Sequence, residues 1–176
     1  MAEFSVLMTT YRGEKPEFLD ASLKSVLINQ TCKPNQFVLV VDGPIPDTLD
    51  AVIKDYKAQF PDVVEVVYCP VNQGQSKASL EGFKYLKYEL FARMDSDDLC
   101  VEERFEKQLE VFEKNSEVSV VGGWISEFDK TPDDLGSLRI VPQTHAEITN
   151  MFRKRTPINN MTVMMKKSAV EKAGGY

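Results

Sequence analysis

The chain has 176 residues, 43% of them hydrophobic and 27% charged, and its 21 basic and 27 acidic residues give a formal net charge of −6. These values are ordinary for one folded domain with a substantial core, and they exclude disordered and fibrous classes. The basic residues are scattered rather than gathered in a stripe with aromatic residues, which argues against nucleic acid as a partner.

The cysteines and the histidine argue against two kinds of structural site. Cys32, Cys69 and Cys100 are far apart, without CxxC or Cys/His spacing, and His145 is the only histidine. A disulfide framework and a zinc site therefore lack ligands, so we expect a reducing compartment. No apolar run approaches the ~18 residues of a membrane span, and the N-terminus lacks a signal-like core. We expect a cytoplasmic protein, with attachment to the inner face of a membrane left to a part outside this sequence.

The first part of the chain alternates predicted strands and helices. Continuous apolar runs such as QFVLVVD are typical of strands buried on both faces, and apolar residues at helical spacing separate them. The predicted order is strand 4–11, a helix from Pro16, strand 36–42, a helix capped by Asp47 and stopped by Pro61, strand 63–69, a helix through Leu86, strand 88–95, and a helix from Val101 to Phe112. This alternation predicts an α/β fold, with a Rossmann-like, mainly parallel sheet covered by helices on both faces.

The pattern weakens after residue 115. We predict strands over 118–125, 137–141 and 161–165, and helices over 146–152 and 167–173, the last ended by Gly174 and Gly175. Later strands running antiparallel would make the sheet mixed. Trp124 is expected in the core and His145 on the surface.

The stretch from Tyr88 to Asp98 is an apolar run that ends in three carboxylates within four residues, at Asp95, Asp97 and Asp98. In a parallel sheet, ligands bind beyond the carboxyl ends of the strands. Other predicted strands also end in, or are followed by, polar residues or glycine. These residues are Thr10, Tyr11, Asp42, Asn72 and Gly74. We therefore expect all of these residues at one rim of the sheet.

Asp95 and Asp97 are two residues apart, so in extended backbone their carboxylates point to the same side. Mg²⁺ or Mn²⁺ held by one or two carboxylates keeps positions open for substrate phosphates and stabilises a diphosphate leaving group. An acidic protein that binds a phosphate ligand also needs such a mediating cation. The sequence therefore predicts a divalent metal site here.

Simpler interpretations of the same residues stay open. Residues 96–98 could cap a helix that begins near Val101, where acids favour the helix dipole. Asp42 could form an Asp-Gly turn, and 72–74 could form a left-handed turn. Lys77 and Arg93 are two nearby cationic residues. Each is either a solvated or structural cation or a contact for a phosphate or a base of the ligand.

Taken in order, the motifs resemble the signatures of family 2 glycosyltransferases. The matching stretches are SVLMTTYR at 5–12, VVDGP at 40–44, NQG at 72–74 with Lys77 and Ala78, ARMDSDD at 92–98, RFEKQ at 104–108 and KSAVEKAGGY at 167–176. They cover essentially the whole chain. Each motif alone is weak, but their common order and spacing are specific.

The resemblance implies a GT-A fold and one nucleotide-sugar-binding domain over residues 1–176, truncated at its C-terminal end. It also implies metal-assisted, inverting transfer of a sugar from a nucleotide-diphosphate donor, a UDP-sugar, to a glycan or lipid-linked acceptor in polysaccharide or lipopolysaccharide assembly. The implied nucleotide-sugar site consists of Thr10, Tyr11, Asp42, Asn72, Gly74, Lys77, Asp95 and Ser96. The implied metal ligands are Asp97 and Asp95, with Mn²⁺ or Mg²⁺ as the cofactor.

Several positions depart from the family pattern. Thr9 stands where the family often has Pro, and Val41 replaces one of two paired Asp residues. Ser79 and Leu80 replace the usual Arg and Asn, and Glu102 replaces a Pro. The family's general base is expected beyond Tyr176, so no catalytic base is assigned, and we expect donor binding from this chain rather than efficient transfer.

Two other functions fit parts of the sequence. One is a nucleotide-sugar-binding or scaffold domain without catalytic activity. The other is an aspartyl-phosphate phosphotransferase, which needs a nucleophilic Asp early in the chain. The first strand ends in Thr9-Thr10-Tyr11, which disfavours it.

Overall fold

A six-stranded mixed sheet forms the centre of the protein. The computed structural model describes residues 2–129, 131–132 and 134–175. The elements in chain order are β1 (Phe4–Tyr11), α1 (Pro16–Leu27), β2 (Gln36–Asp42), α2 (Asp47–Gln59), β3 (Val64–Tyr68), α3 (Gln75–Phe83), β4 (Leu90–Asp95), α4 (Arg104–Lys114), β5 (Val120–Val121), β6 (Ile125–Glu127), β7 (Ser137–Arg139), α5 (His145–Met151), a 3₁₀ turn (Asn160–Thr162), β8 (Met164–Lys166) and α6 (Lys167–Lys172).

The strand order in the sheet is β3-β2-β1-β4-β8-β5. The first four of these strands are parallel, whereas β8 runs antiparallel to both β4 and β5. A separate hairpin pairs β6 with β7. The expectation of a mainly parallel, mixed sheet is confirmed.

The register of the central strands aligns their carboxyl ends. Tyr11 of β1 lies opposite Asp42 of β2, and Thr9 of β1 lies opposite Asp95 of β4. Three loops therefore leave the sheet at the same rim.

Helices cover both faces of the sheet. Phe4, Val6 and Met8 of β1 pack towards α1, α2 and α4, whereas Leu7 of β1 packs towards α3. The hydrophobic core thus has two layers, one on each side of strands that are buried along almost their whole length.

Two helix starts differ from the sequence-based expectation. Asp47 is the first residue of α2 rather than its cap, because Pro46 occupies the cap position. α4 begins at Arg104, and Val101 is exposed ahead of it. Long-range hydrogen bonds account for the later start, since Gln30 Nε2 donates to the Val101 carbonyl at 2.8 Å and Thr31 N donates to the Glu102 carbonyl at 2.9 Å.

The predicted strand 118–125 divides into β5 and β6, which belong to different sheets. Gly123, which lies between them, bonds to side chains instead of a strand ladder: its N donates to Thr162 Oγ1 at 2.8 Å, and its carbonyl accepts from Asn159 Nδ2 at 2.9 Å. Trp124 is 45% exposed, so its predicted place in the core is wrong. His145 is exposed, as predicted.

The other late elements differ from the predictions mainly at their bounds. The predicted strand 161–165 is replaced at its start by the 3₁₀ turn and continues as β8.

Within the described ranges, no helix is both long and apolar enough to cross a membrane.

Candidate functional site

A cleft of about 440 Å³ lies at the rim where β1, β2 and β4 end. Its lining is rich in carboxylates and in hydrogen-bonding groups. The lining residues are Thr9, Thr10, Tyr11, Glu14, Asp42, Asn72, Gly74, Gln75, Asp95, Ser96 and Asp97. None of them is Lys or Arg, so the lining formed by the described residues has no cationic side chain.

Asp42 fixes the loop that follows β3. Its side chain is buried, and its two oxygens accept hydrogen bonds from Gln73 N and Gly74 N, each at 2.8 Å. Asn72 Nδ2 donates in return to the Asp42 carbonyl at 3.0 Å. Gly43 has φ +86°, and a Cβ there would lie 2.5 Å from Asn72 N, so the turn after β2 and this loop interlock. Asp42 thus forms the Asp-Gly turn and also holds the cleft wall.

Asp95 is held in one orientation by two donors. Arg93 Nη2 and Gln75 Nε2 donate to its Oδ1 at 3.0 and 3.1 Å. Burial raises the pKa of Asp95, Arg93 opposes that rise, and the negative charge of Asp97 adds to it. Oδ2 of Asp95 accepts no hydrogen bond from the described residues, which leaves it for a ligand in the cleft.

Asp97 and Asp98 add negative charge at the same place. Asp97 is exposed, lines the cleft, and has no hydrogen-bond or ion-pair partner within the described ranges. Burial, together with the charges of Asp97 and Asp95, raises the pKa of Asp98 to about 6. The interpretation that residues 96–98 cap the next helix is wrong, because α4 starts at Arg104 and its cap residue is Glu103.

Glu14 joins two loops of the rim. Ser96 Oγ donates a hydrogen bond to Glu14 Oε2, which ties the loop after β1 to the loop after β4. Glu14, Thr9 and Gln75 also line the cleft, although the sequence motifs did not predict them as site residues. Glu14 could have been found as the acid in the first loop at the carboxyl edge of the sheet, whereas the role of Gln75 depends on how α3 packs.

Tyr11 belongs to two clefts. A second cleft of about 470 Å³ shares Tyr11 and Asn72 with the first, and its remaining lining residues are Arg12, Pro44, Pro70 and Val71. Tyr11 is 50% exposed, at the boundary between them. Thr10 is buried beside it, and its hydroxyl has no hydrogen-bond partner among the described residues.

The structure brings eight of the predicted site residues together in the first cleft. They are Thr10, Tyr11, Asp42, Asn72, Gly74, Asp95, Ser96 and Asp97. Lys77 is the exception, because it is exposed in the first turn of α3 and is not part of the lining. Gly74 has φ +87°, a conformation that favours glycine, and nothing lies within 4 Å of an added Cβ.

The cleft can supply part of a coordination shell for a hard cation. Within the described ranges, no three side chains of His, Cys, Asp and Glu are grouped to hold an ion by themselves. Asp95 Oδ2 and the carboxylate of Asp97 are the carboxylate oxygens of the cleft lining to which no described residue donates. Mg²⁺ and Mn²⁺ are often held by one or two carboxylates, with phosphate oxygens completing the shell, and this donor set fits that arrangement.

Comparison with known proteins identifies the family. The profile described as "Glycosyl transferase family 2" matches residues 5–173. The chain belongs to glycosyltransferase family 2. This membership leaves the aspartyl-phosphate phosphotransferase interpretation without support.

Several relatives of this family 2 chain have descriptive names. It is 41% identical over 99% of its length to an uncharacterized glycosyltransferase of Haemophilus influenzae. It is 38% identical over 98% to the amylovoran biosynthesis glycosyltransferase AmsE of Erwinia amylovora, and 31% identical over 99% to the UDP-Gal:alpha-D-GlcNAc-diphosphoundecaprenol beta-1,3-galactosyltransferase of Escherichia coli. The chain spans 64%, 63% and 62% of these relatives, which is less than two thirds of each.

Solved structures share the fold of this family 2 chain at low sequence identity. S. aureus TarS 1-349 in complex with UDP-GlcNAc superposes with a TM-score of 0.73 and 19% identity, covering 98% of this chain and 47% of that one. The mannosyltransferase PcManGT from Pyrobaculum calidifontis, in complex with GDP-Man and Mn²⁺, superposes with a TM-score of 0.70 and 14% sequence identity. This match covers 99% of this chain and 47% of that one. The expected GT-A fold is confirmed.

Proposed function

We propose that residues 1–176 form the donor-binding domain of an inverting glycosyltransferase that takes its sugar from a UDP-sugar. The observation that carries the proposal is the rim cleft, where Asp95 and Asp97 offer oxygens beside a loop held by Asp42. Family membership supports sugar transfer as the reaction. The UDP-Gal in the name of the Escherichia coli relative and the UDP-GlcNAc bound to TarS support the donor class.

A divalent cation at Asp95 and Asp97 is part of this proposal. A diphosphate carries negative charge into a cleft whose described lining has carboxylates but no Lys or Arg, so its binding needs a cation. When bound, Mn²⁺ or Mg²⁺ stabilises the negative charge of the diphosphate leaving group. The Mn²⁺ in the PcManGT complex supports this choice. Arg93 and Gln75 donate to Oδ1 of Asp95, so Asp95 would hold the ion through its other carboxylate oxygen, Oδ2.

We place the nucleobase in the second cleft. Its lining combines the Tyr11 ring with Pro44, Pro70 and Val71, which suits a flat, weakly polar ring system. Tyr11 and Asn72 line both clefts, so a nucleotide can extend from one cleft to the other with its ribose near them. Lys77, in the first turn of α3, is proposed to contact the nucleotide from outside the lining.

A glycan or lipid-linked acceptor completes the proposed reaction. The name of the Escherichia coli relative includes a diphosphoundecaprenol acceptor, and that of the Erwinia amylovora relative includes biosynthesis of the polysaccharide amylovoran. We propose that this protein acts on a similar class of acceptor from the cytoplasmic side of the membrane, with peripheral attachment supplied outside residues 1–176.

Calorimetry with UDP tests the donor site. We expect UDP to bind the wild-type chain at least about tenfold more tightly with Mn²⁺ or Mg²⁺ than with EDTA. This difference corresponds to about 1.4 kcal/mol of binding free energy. Asp97→Ala should abolish this metal effect and leave the fold intact, because Asp97 is exposed and its carboxylate bonds to no described residue.

A matched control is Glu110→Ala, which removes an exposed carboxylate paired with Lys114 on α4, outside the cleft. The control should keep the full metal effect. Equal UDP affinity with and without metal in the wild type would contradict the metal part of the proposal. An unchanged metal effect in Asp97→Ala would remove Asp97 as a ligand.

A further inference from the structure

Gly13 lies directly against the ring of Tyr11. A Cβ added at Gly13 would be 2.6 Å from Cε2, 2.7 Å from Cζ and 2.7 Å from Oη of Tyr11. Carbon atoms in contact are normally about 3.5–4.0 Å apart, so no side chain fits at position 13 while the ring stays where it is. The outer half of the ring therefore rests on the backbone of residue 13.

The backbone conformation itself does not call for glycine at this position. The described glycines with positive φ are Gly43, Gly74, Gly136, Gly174 and Gly175, and Gly13 is not one of them. A hydrogen bond of 3.1 Å from Glu14 N to the Tyr11 carbonyl closes the turn that contains Gly13. The requirement for a bare backbone at position 13 therefore comes from the Tyr11 ring.

The position of this ring determines the shape of both clefts. Tyr11 lines the acidic cleft and also the more apolar cleft beside it, and it is half exposed. An exposed tyrosine on a surface loop can take up several rotamers, and each of them would change the boundary between the clefts. Packing against the backbone of Gly13 restricts the rotamers that the Tyr11 ring can adopt.

We propose that Gly13 is a positioning residue for the nucleoside diphosphate. Because residue 13 has no side chain, the Tyr11 ring can pack against the backbone of the turn. In this position the ring can stack against the base and leaves the connection to the diphosphate cleft open. This inference rests on the donor-binding function proposed above.

Gly13→Ala separates this role from a structural one. The added methyl group meets the far end of an exposed side chain, which can swing away without disturbing the core. Gly→Ala at a compatible backbone position also lowers the entropy of the unfolded chain. The midpoint of urea unfolding should therefore stay the same or rise, whereas a glycine needed only for folding would give a lower midpoint when replaced.

The decisive measurement is the UDP affinity of four proteins in the presence of Mn²⁺: wild type, Gly13→Ala, Tyr11→Ala and the double variant. Base–aromatic stacking contributes enough that Gly13→Ala and Tyr11→Ala should each weaken binding about tenfold. The double variant should bind like Tyr11→Ala, because Gly13 acts through the ring. Wild-type affinity in Gly13→Ala, or a further tenfold loss in the double variant, would overturn the inference.

NMR tests the contact without any ligand. The α-proton of Gly13 that the methyl group would replace points at the ring, so it should show a ring-current shift that disappears in Tyr11→Ala. The same Gly13 shift in both proteins would overturn the inference. Absence of UDP binding by the wild type would instead contradict the donor-binding function, while the NMR result would still decide whether Gly13 supports the ring.

Discussion

At the scale of single residues, the ion pair beneath the cleft connects stability with the site. The side chains of Arg93 and Asp95 are 5% and 20% exposed, and Arg93 Nη2 lies 3.0 Å from Asp95 Oδ1. Removing one partner of a largely buried pair leaves the other charge without compensation. The same contact orients Asp95, so Arg93 serves both the fold and the proposed metal site.

Arg93→Met should lower the free energy of unfolding by about 2–4 kcal/mol, because Asp95 would then be partly buried without its cation. Adding Asp95→Asn to this variant should restore most of the loss, which a double-mutant cycle in urea would measure. Lys87→Met is the matched control, since Lys87 pairs with Glu65 at the surface and should matter much less. If Arg93→Met and Lys87→Met lowered the free energy of unfolding equally, the buried pair would stabilise the fold no more than the surface pair does.

The acids of the rim were predictable from sequence, but their partners were not. Asp42 and Asp95 end apolar runs and Asp97 follows one closely, which was enough to place them at or just beyond the ends of parallel strands. That Asp42 would bond to the amides of Gln73 and Gly74 depends on a loop about 30 residues away along the chain. Such a contact leaves no periodic signal in the sequence.

At the scale of elements, this loop and the start of α3 depend on one carboxylate. Asp42→Asn replaces an acceptor oxygen with an NH₂ group that faces a backbone N–H, so one of the bonds to Gln73 N or Gly74 N is lost. We expect a loss of about 1–3 kcal/mol in stability and faster hydrogen exchange at both amides. Asp47→Asn, at an exposed acid in the first turn of α2, is the control. Unchanged exchange at Gln73 and Gly74 would contradict this role of Asp42.

Element boundaries show where sequence periodicity stops being informative. β1 and β2 agree with their predicted bounds because continuous apolar runs are ended by polar residues. α4 starts later than its apolar spacing suggests because side-chain and backbone groups after α1 bond to the carbonyls of Val101 and Glu102. The division of 118–125 has a similar origin, because Gly123 N donates to Thr162 Oγ1 and the Gly123 carbonyl accepts from Asn159 Nδ2. Tertiary hydrogen bonds overrode local preference in both cases.

At the scale of the whole molecule, burial is distributed unevenly along the chain. β1, β2 and β4 lie in the interior of the sheet, with helices on both faces. In contrast, the β6–β7 hairpin is a separate two-stranded sheet with an exposed Leu138, and α5 has no buried residue among those described. Two-stranded hairpins and helices of seven residues are marginal by themselves in water.

Native-state hydrogen exchange should therefore resolve two levels of stability. Amides of Val6–Met8 and Phe37–Val40 should exchange only through global unfolding, with a steep dependence on urea, because their strands are buried on both sides. Amides of β6, β7 and α5 should exchange through local opening, with little dependence on urea. α4 is the internal control: it is also a surface helix, but Phe105, Leu109 and Phe112 anchor it in the core, so its amides should follow the central strands. A single exchange isotherm shared by β7, α5 and β1 would show that the chain opens as one cooperative unit.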